Sequence, residues 1–157
     1  MIFQKQKQLC SVADGELIPL ASVPDEAFSS GILGVGYAVE PDGDTVCSPV
    51  DCVVESVAET AHAYTLHTKD GLDLLVHVGI DTVALGGRGF TPLVKKGEKL
   101  RAGDALVRVD FDVLRNAGCP LSIPVLVTNP ECLKEHTCKT SGRVKGGVDV
   151  VMQYRTT

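Results

Sequence analysis

Two histidines carry the first chemical signal. His62 and His77 lie on either side of Lys69-Asp70-Gly71, a turn signal between two runs of alternating apolar residues. After the turn, Leu72, Leu74, Val76 and Val78 share one face of an extended strand, because successive side chains point to opposite sides. Asp73, Leu75, His77 and Gly79 share the other face, so His77 points away from the aliphatic stripe. The turn sets the cross-strand register. With Lys69-Asp70 as the loop, or Thr68 to Gly71, His62 lies directly opposite His77. With Asp70-Gly71 as a type I′ turn, His77 faces Tyr64 and His62 faces Gly79. Either loop keeps both histidines on one face, as direct neighbours or diagonal ones about 7–8 Å apart or less. Only an odd-numbered loop separates them. The same parity sends His67 to the core side with Leu72 and Leu74, where it has no chemical role.

Three kinds of chemistry fit such a pair. It can be two surface imidazoles without a role. It can be half of a metal site, since imidazole is a common nitrogen ligand. Or it can be a nucleophile with a helper. Neutral imidazole accepts a phosphoryl group and releases it readily. A second imidazole N–H can then hold the incoming charge of about -1.5 to -2 through a charge-assisted hydrogen bond. That third chemistry needs no cofactor and no deep cavity, only access for a protein donor.

Composition narrows the field. The chain has 157 residues, 44% hydrophobic and 22% charged, with a net charge of -5. Those proportions exclude disorder, and the length fits one domain over residues 1–157. No apolar run approaches the roughly 18 residues of a membrane span. Mild acidity and 4% aromatics without tryptophan argue against nucleic acid as a partner. The first seven residues carry positive charge but no apolar signal core follows, so a cytoplasmic location is expected. Cys10, Cys47, Cys52, Cys119, Cys132 and Cys138 then read as reduced thiols. Cys132, His136 and Cys138 lack the paired CxxC knuckles of structural zinc sites and read as packing residues.

The elements that must position the histidines are short strands. Valine occurs 22 times, in brief β-branched runs cut by Gly, Pro and Asp. Turn signals recur about every ten residues, the pattern of a sandwich or barrel. Two short helices are expected, one over Ser22 to Phe28 with Ser22 as its cap, the other over Asp110 to Ala117 with Asp110 as cap and Gly118 as stop. Thr128 to Leu133 offers a further turn. In Val94 to Val107, Gly97 and Gly103 suit positive-φ turns, with Leu100 and Leu106 as core anchors.

Around His77 the pattern becomes specific. Leu74 to Val83, followed by Gly86 to Phe90, resembles the phosphorylation-site segment of the glucose-type enzyme IIA of the bacterial sugar phosphotransferase system. Ser22 to Phe28, Pro49 to Val57, Thr60 to Ala63 and Leu121 to Asn129 resemble further segments of that family, in the same order. The likeness spans roughly residues 14–154. It implies an all-β fold, an antiparallel β-sandwich or barrel with a duplicated hybrid motif and one or two short helices. It implies that His77 is phosphorylated on Nε2 and His62 supports it. Thr60 would hydrogen-bond within the site, and the Gly79 carbonyl would hold the Nδ1–H of His77. Asp81 would lie at the partner surface, and Phe28, Ile32 and Leu75 would form an apolar docking face. Ala58 and Leu75 stand where that family often has aromatics.

The implied donor is the histidine-containing phosphocarrier protein, and the implied acceptor a cysteine on the IIB domain of a sugar permease. Regulatory protein targets are a further expectation. No cofactor is required, although His62 and His77 could share a zinc ion with a partner's carboxylate. Two alternatives stand beside this reading. One is a regulatory binding module without catalysis. The other is a zinc metallopeptidase with a related hybrid motif, which needs an H-x-x-x-D ligand pair and a later H-x-H; neither is expected here, and His62, His67, His77 and His136 form no H-x-H.

Overall fold

The β-branched runs become strands in the computed structural model, which describes residues 7–157. The reading of the chain's charged N-terminal end rests largely on residues 1–6, outside the described residues. In chain order the strands are β1 (Lys7–Cys10), β2 (Gly15–Ile18), β3 (Val35–Pro41), β4 (Thr45–Cys47), β5 (Cys52–Val57), β6 (Ala63–His67), β7 (Asp73–His77), β8 (Phe90–Pro92), β9 (Lys99–Leu100), β10 (Ala105–Val109), β11 (Ile123–Val127), β12 (Leu133–Cys138), β13 (Gly142–Val144) and β14 (Val150–Thr156). An eight-stranded sheet runs β13-β2-β3-β11-β7-β6-β5-β9, and two three-stranded sheets run β1-β14-β12 and β4-β10-β8. Neighbouring strands pair antiparallel throughout. The all-β expectation holds.

The main core takes the inward residues of these strands. Leu72, Leu74, Val76 and Val78 are all at most 1% exposed, as their alternation requires. Tyr64 and Leu66 meet Val76 and Leu74 across the hairpin. Strand β1 belongs to this core too: it is sealed against β14 and buries Leu9, while Val12 and Ala13 follow it inside. A second, smaller cluster lies apart from it. Val23, Phe28, Ala38, Ile80 and Leu126 are buried there, with Ile18, Leu20 and Leu75 packed against them.

The first helical segment differs from expectation. The chain makes a 3₁₀ turn at Leu20–Ser22 and then helix α1 (Glu26–Ser29). Its cap is Asp25, whose carboxylate accepts from the Ala27 N–H at 2.9 Å, rather than Ser22. The physical reason is Val23-Pro24: a residue before proline is driven to extended backbone, so a helix cannot run on from Ser22. Helix α2 (Phe111–Asn116) is as read, with Asp110 as cap and Gly118 at φ 79° beyond its end.

The hairpin that carries the histidines also has a different register. Ala63 pairs with His77, Tyr64 with Val76, and His67 with Asp73. Five residues, Thr68 to Leu72, lie between the strands, an odd number. The Thr68 side chain creates this loop: its Oγ1 accepts from the Leu72 N–H at 2.9 Å, and its own N–H reaches the Leu72 carbonyl at 2.9 Å. His67 therefore faces outward, exposed, with its Nδ1 2.6 Å from Asp73 Oδ1, and not toward Leu72 and Leu74.

Candidate functional site

By strict strand parity an odd loop should send His62 and His77 to opposite faces. They meet nonetheless, with ring centroids 5.0 Å apart and planes at 80°. Strand β6 begins only at Ala63, and the residue before His62, Ala61, adopts left-handed backbone at φ 58°. The Tyr64 hydroxyl donates to the Ala61 carbonyl at 2.8 Å and fixes this bend from inside the core. The His62 carbonyl then accepts from the Val78 N–H at 2.7 Å, tying the two strand ends together while the ring swings across to His77.

His77 is the last residue of β7. Pairing with β11 runs through Val125 and Val76; the next register position would set His77 against Pro124, which has no N–H to donate, and the ladder stops. Beyond it, Gly79 at φ 76° turns the chain back so that its carbonyl oxygen lies 2.7 Å from His77 Nδ1. A carbonyl only accepts, so Nδ1 carries the proton and the lone pair of the neutral ring sits on Nε2. Glycine is required here twice over. A Cβ would lie 2.6 Å from Thr82 Cγ2, and the positive φ disfavours any side chain.

His62 is 9% exposed, and its Nδ1 lies 2.6 Å from the Thr60 hydroxyl oxygen. Phe28 supports His77 from another side, with ring centroids 5.0 Å apart. Burial pulls the basicity of His77 below the ordinary imidazole value, opposed by the Gly79 hydrogen bond and the charges of Asp25 and Asp81. His62 is lowered too, by burial first and then by repulsion from His77. Both rings are thereby biased toward the neutral form, the form in which an imidazole can act as a nucleophile.

The sequence-derived site residues thus fall into groups. His77, His62, Thr60 and Gly79 are in mutual contact. Asp81 is exposed just beyond them, at φ 61°, and acts on His77 through its charge. Phe28 is only 5% exposed, so it is a wall behind His77 more than a docking surface. Leu75 is half-buried against the smaller core, while Ile32 is 80% exposed and open to a partner. Asp25 was missed by sequence reasoning as a site residue; the signal was its place in Pro24-Asp25, which makes it both the α1 cap and a charge facing His77. His77 and Asp81 do have the H-x-x-x-D spacing of a metallopeptidase ligand pair. Among the described residues, however, no third ligand atom joins them or His62 closely enough to hold an ion. His67 and His136 lie elsewhere, paired across strands with Asp73 and Tyr154.

The sequence pattern of the phosphoenolpyruvate-dependent sugar phosphotransferase system EIIA 1 family matches residues 7–133. The chain belongs to that family. An EIIA 1 chain is a phosphocarrier component of this system, and the relatives agree. The glucose-specific EIIA component of Haemophilus influenzae is 38% identical over 143 residues, covering 90% of this chain and 84% of the relative. The mannose-specific EIIBCA component of Corynebacterium glutamicum is 45% identical over 121 residues, covering 77% of this chain. The chain spans only 18% of that longer relative's length. Among solved structures, glucose permease IIA from Mycoplasma capricolum superimposes with a TM-score of 0.87 at 33% identity, covering 98% of both chains. Among the described residues no helix of this EIIA 1 chain is long and apolar enough to cross a membrane.

Proposed function

We propose that this chain is a single cytoplasmic EIIA domain in which His77 Nε2 carries the phosphoryl group between two partner proteins. The carrying observation is the 2.7 Å contact from His77 Nδ1 to the Gly79 carbonyl, which leaves Nε2 as the available nucleophile. In the inward step the Nε2 lone pair attacks the phosphorus of a phosphohistidine on the histidine-containing phosphocarrier protein. The donor's P–N bond breaks, and its electron pair returns to the donor ring. His77 keeps its Nδ1 proton, so its ring becomes cationic, and the Gly79 carbonyl dipole stabilises that charge. In the outward step a cysteine thiolate of a permease IIB domain attacks phosphorus, and the P–Nε2 pair returns to a neutral His77.

His62 acts as the phosphoryl stabiliser. When the Thr60 hydroxyl donates to His62 Nδ1, the His62 proton resides on Nε2 and is available to a phosphoryl oxygen on the facing ring. Ile32 provides the exposed part of the apolar contact, Phe28 and Leu75 hold it from behind, and Asp81 flanks it with charge. The transfer needs no metal. Two imidazoles 5.0 Å apart can nevertheless bind a zinc ion if a partner contributes a carboxylate, which would add an intermolecular clamp.

The test is reconstitution with phosphoenolpyruvate labelled on phosphorus, enzyme I and the histidine carrier. One equivalent of acid-labile label should appear on the chain and then move to a IIB cysteine. Stable binding of both partners without label would instead favour a regulatory binding module.

A further inference from the structure

We propose a second, separate site on this chain: a divalent-cation site of the zinc class formed by Glu55, His67 and Asp73 at the loop end of the catalytic hairpin. Each of these residues offers one ligand atom, and the three atoms lie within 4.8 Å of one another. They come from three adjacent strands of one rigid sheet. His67 and Asp73 are paired directly across β6 and β7. Val53 pairs with His67 on the other side, and the register of β5 against β6 then slips between Val54 and Ser56. Glu55 is the extra residue of that bulge. A bulge re-aims a side chain, and here it leaves Glu55 and Ser56 both exposed in succession, where regular alternation would hide one. The inward neighbours Val54, Leu66 and Leu74 are buried, so the strands beneath the cluster are anchored.

The donor set is one imidazole nitrogen and two carboxylate oxygens. Two negative charges suit a dication, and the imidazole shifts preference from magnesium or calcium toward zinc, cobalt or nickel. Three protein ligands leave further positions to water, as in open zinc sites. Loading the ion displaces the hydrogen bond between His67 and Asp73: a protonated His67 ring gives up one proton to solvent, and a neutral ring keeps its one proton on the nitrogen that does not bind the ion. The site is not the phosphotransfer centre. Asp73 and His77 stand four residues apart on β7, about 13 Å at the rise of a strand.

Calorimetric titration of the full chain with zinc chloride tests the assignment. Expected is a saturable equivalent that survives in His62→Gln and His77→Gln but is lost in His67→Ala and in Glu55→Gln. Zinc should shift the ring signals of His67 in a histidine-selective NMR spectrum, while magnesium leaves them in place. All three residues are at least partly exposed, so the variants keep the core, and unchanged far-ultraviolet circular dichroism verifies this. No saturable binding by the wild-type chain would overturn the proposal. So would binding that persists in His67→Ala, or that disappears only in the His62 and His77 variants.

Discussion

His77 Nδ1 faces the Gly79 carbonyl oxygen at 2.7 Å, and the two residues are joined by one buried valine, Val78. The tautomer of His77 is thus fixed by backbone two positions away. No side chain has to be held in place for it.

Gly79→Ala should break this arrangement. The new methyl meets Thr82 Cγ2 at 2.6 Å at a positive-φ position, so the carbonyl must move. Loss of about 1–3 kcal/mol is expected in denaturant unfolding. Thr82→Ala in the same chain should recover only part of it, because the backbone strain remains.

His62→Gln separates acceptance from delivery. Its contact with a phosphoryl group on His77 matters most while that group is moving, and help given only in the transition state changes the rate. Single-turnover measurements should give near-normal phosphorylation by the carrier protein. Transfer to the IIB cysteine should slow on the order of 100-fold, the typical effect of removing one such donor.

Tyr64→Phe probes the bend that brings His62 across. The Tyr64 hydroxyl is buried and donates to the Ala61 carbonyl at 2.8 Å. Removing it leaves that carbonyl without its buried donor and should cost about 1–3 kcal/mol. The His62 ring signals in NMR should broaden or shift while those of exposed His67 stay fixed.

Acid should destabilise the fold through the same pair. Burial holds His77 and His62 below the ordinary value of 6.5, so the unfolded chain takes up their protons first. Stability contributed by the neutral rings is complete above 6.5. It falls as pH drops below that value, and levels off once the folded-state rings also titrate. Denaturation midpoints measured from pH 8 to pH 5 should show this fall, and His62→Gln with His77→Gln should flatten it.

Much of this was legible in the residues. Leu72, Leu74, Val76 and Val78 declare the inward face of β7, and His77 follows on the outward one from period two alone. The pairing of the histidines was not legible in the same way. It depends on a five-residue loop built by the Thr68 side chain and on left-handed backbone at Ala61, a residue type with no preference for it. Parity from an even loop gave the right neighbours by the wrong geometry, and it placed His67 inside when it is outside. Asp25 escaped notice because it reaches His77 from a separate segment, across the smaller core that α1 brings over the sheet.

The most direct measurement is the position of the phosphoryl group itself. After labelling through enzyme I and the histidine carrier, phosphorus–proton correlation NMR of the intact chain should place a single phosphoryl group on Nε2 of His77, and His77→Gln should take up none. A phosphoryl group on Nδ1, on His62 or on His67, or full labelling of His77→Gln, would contradict the account.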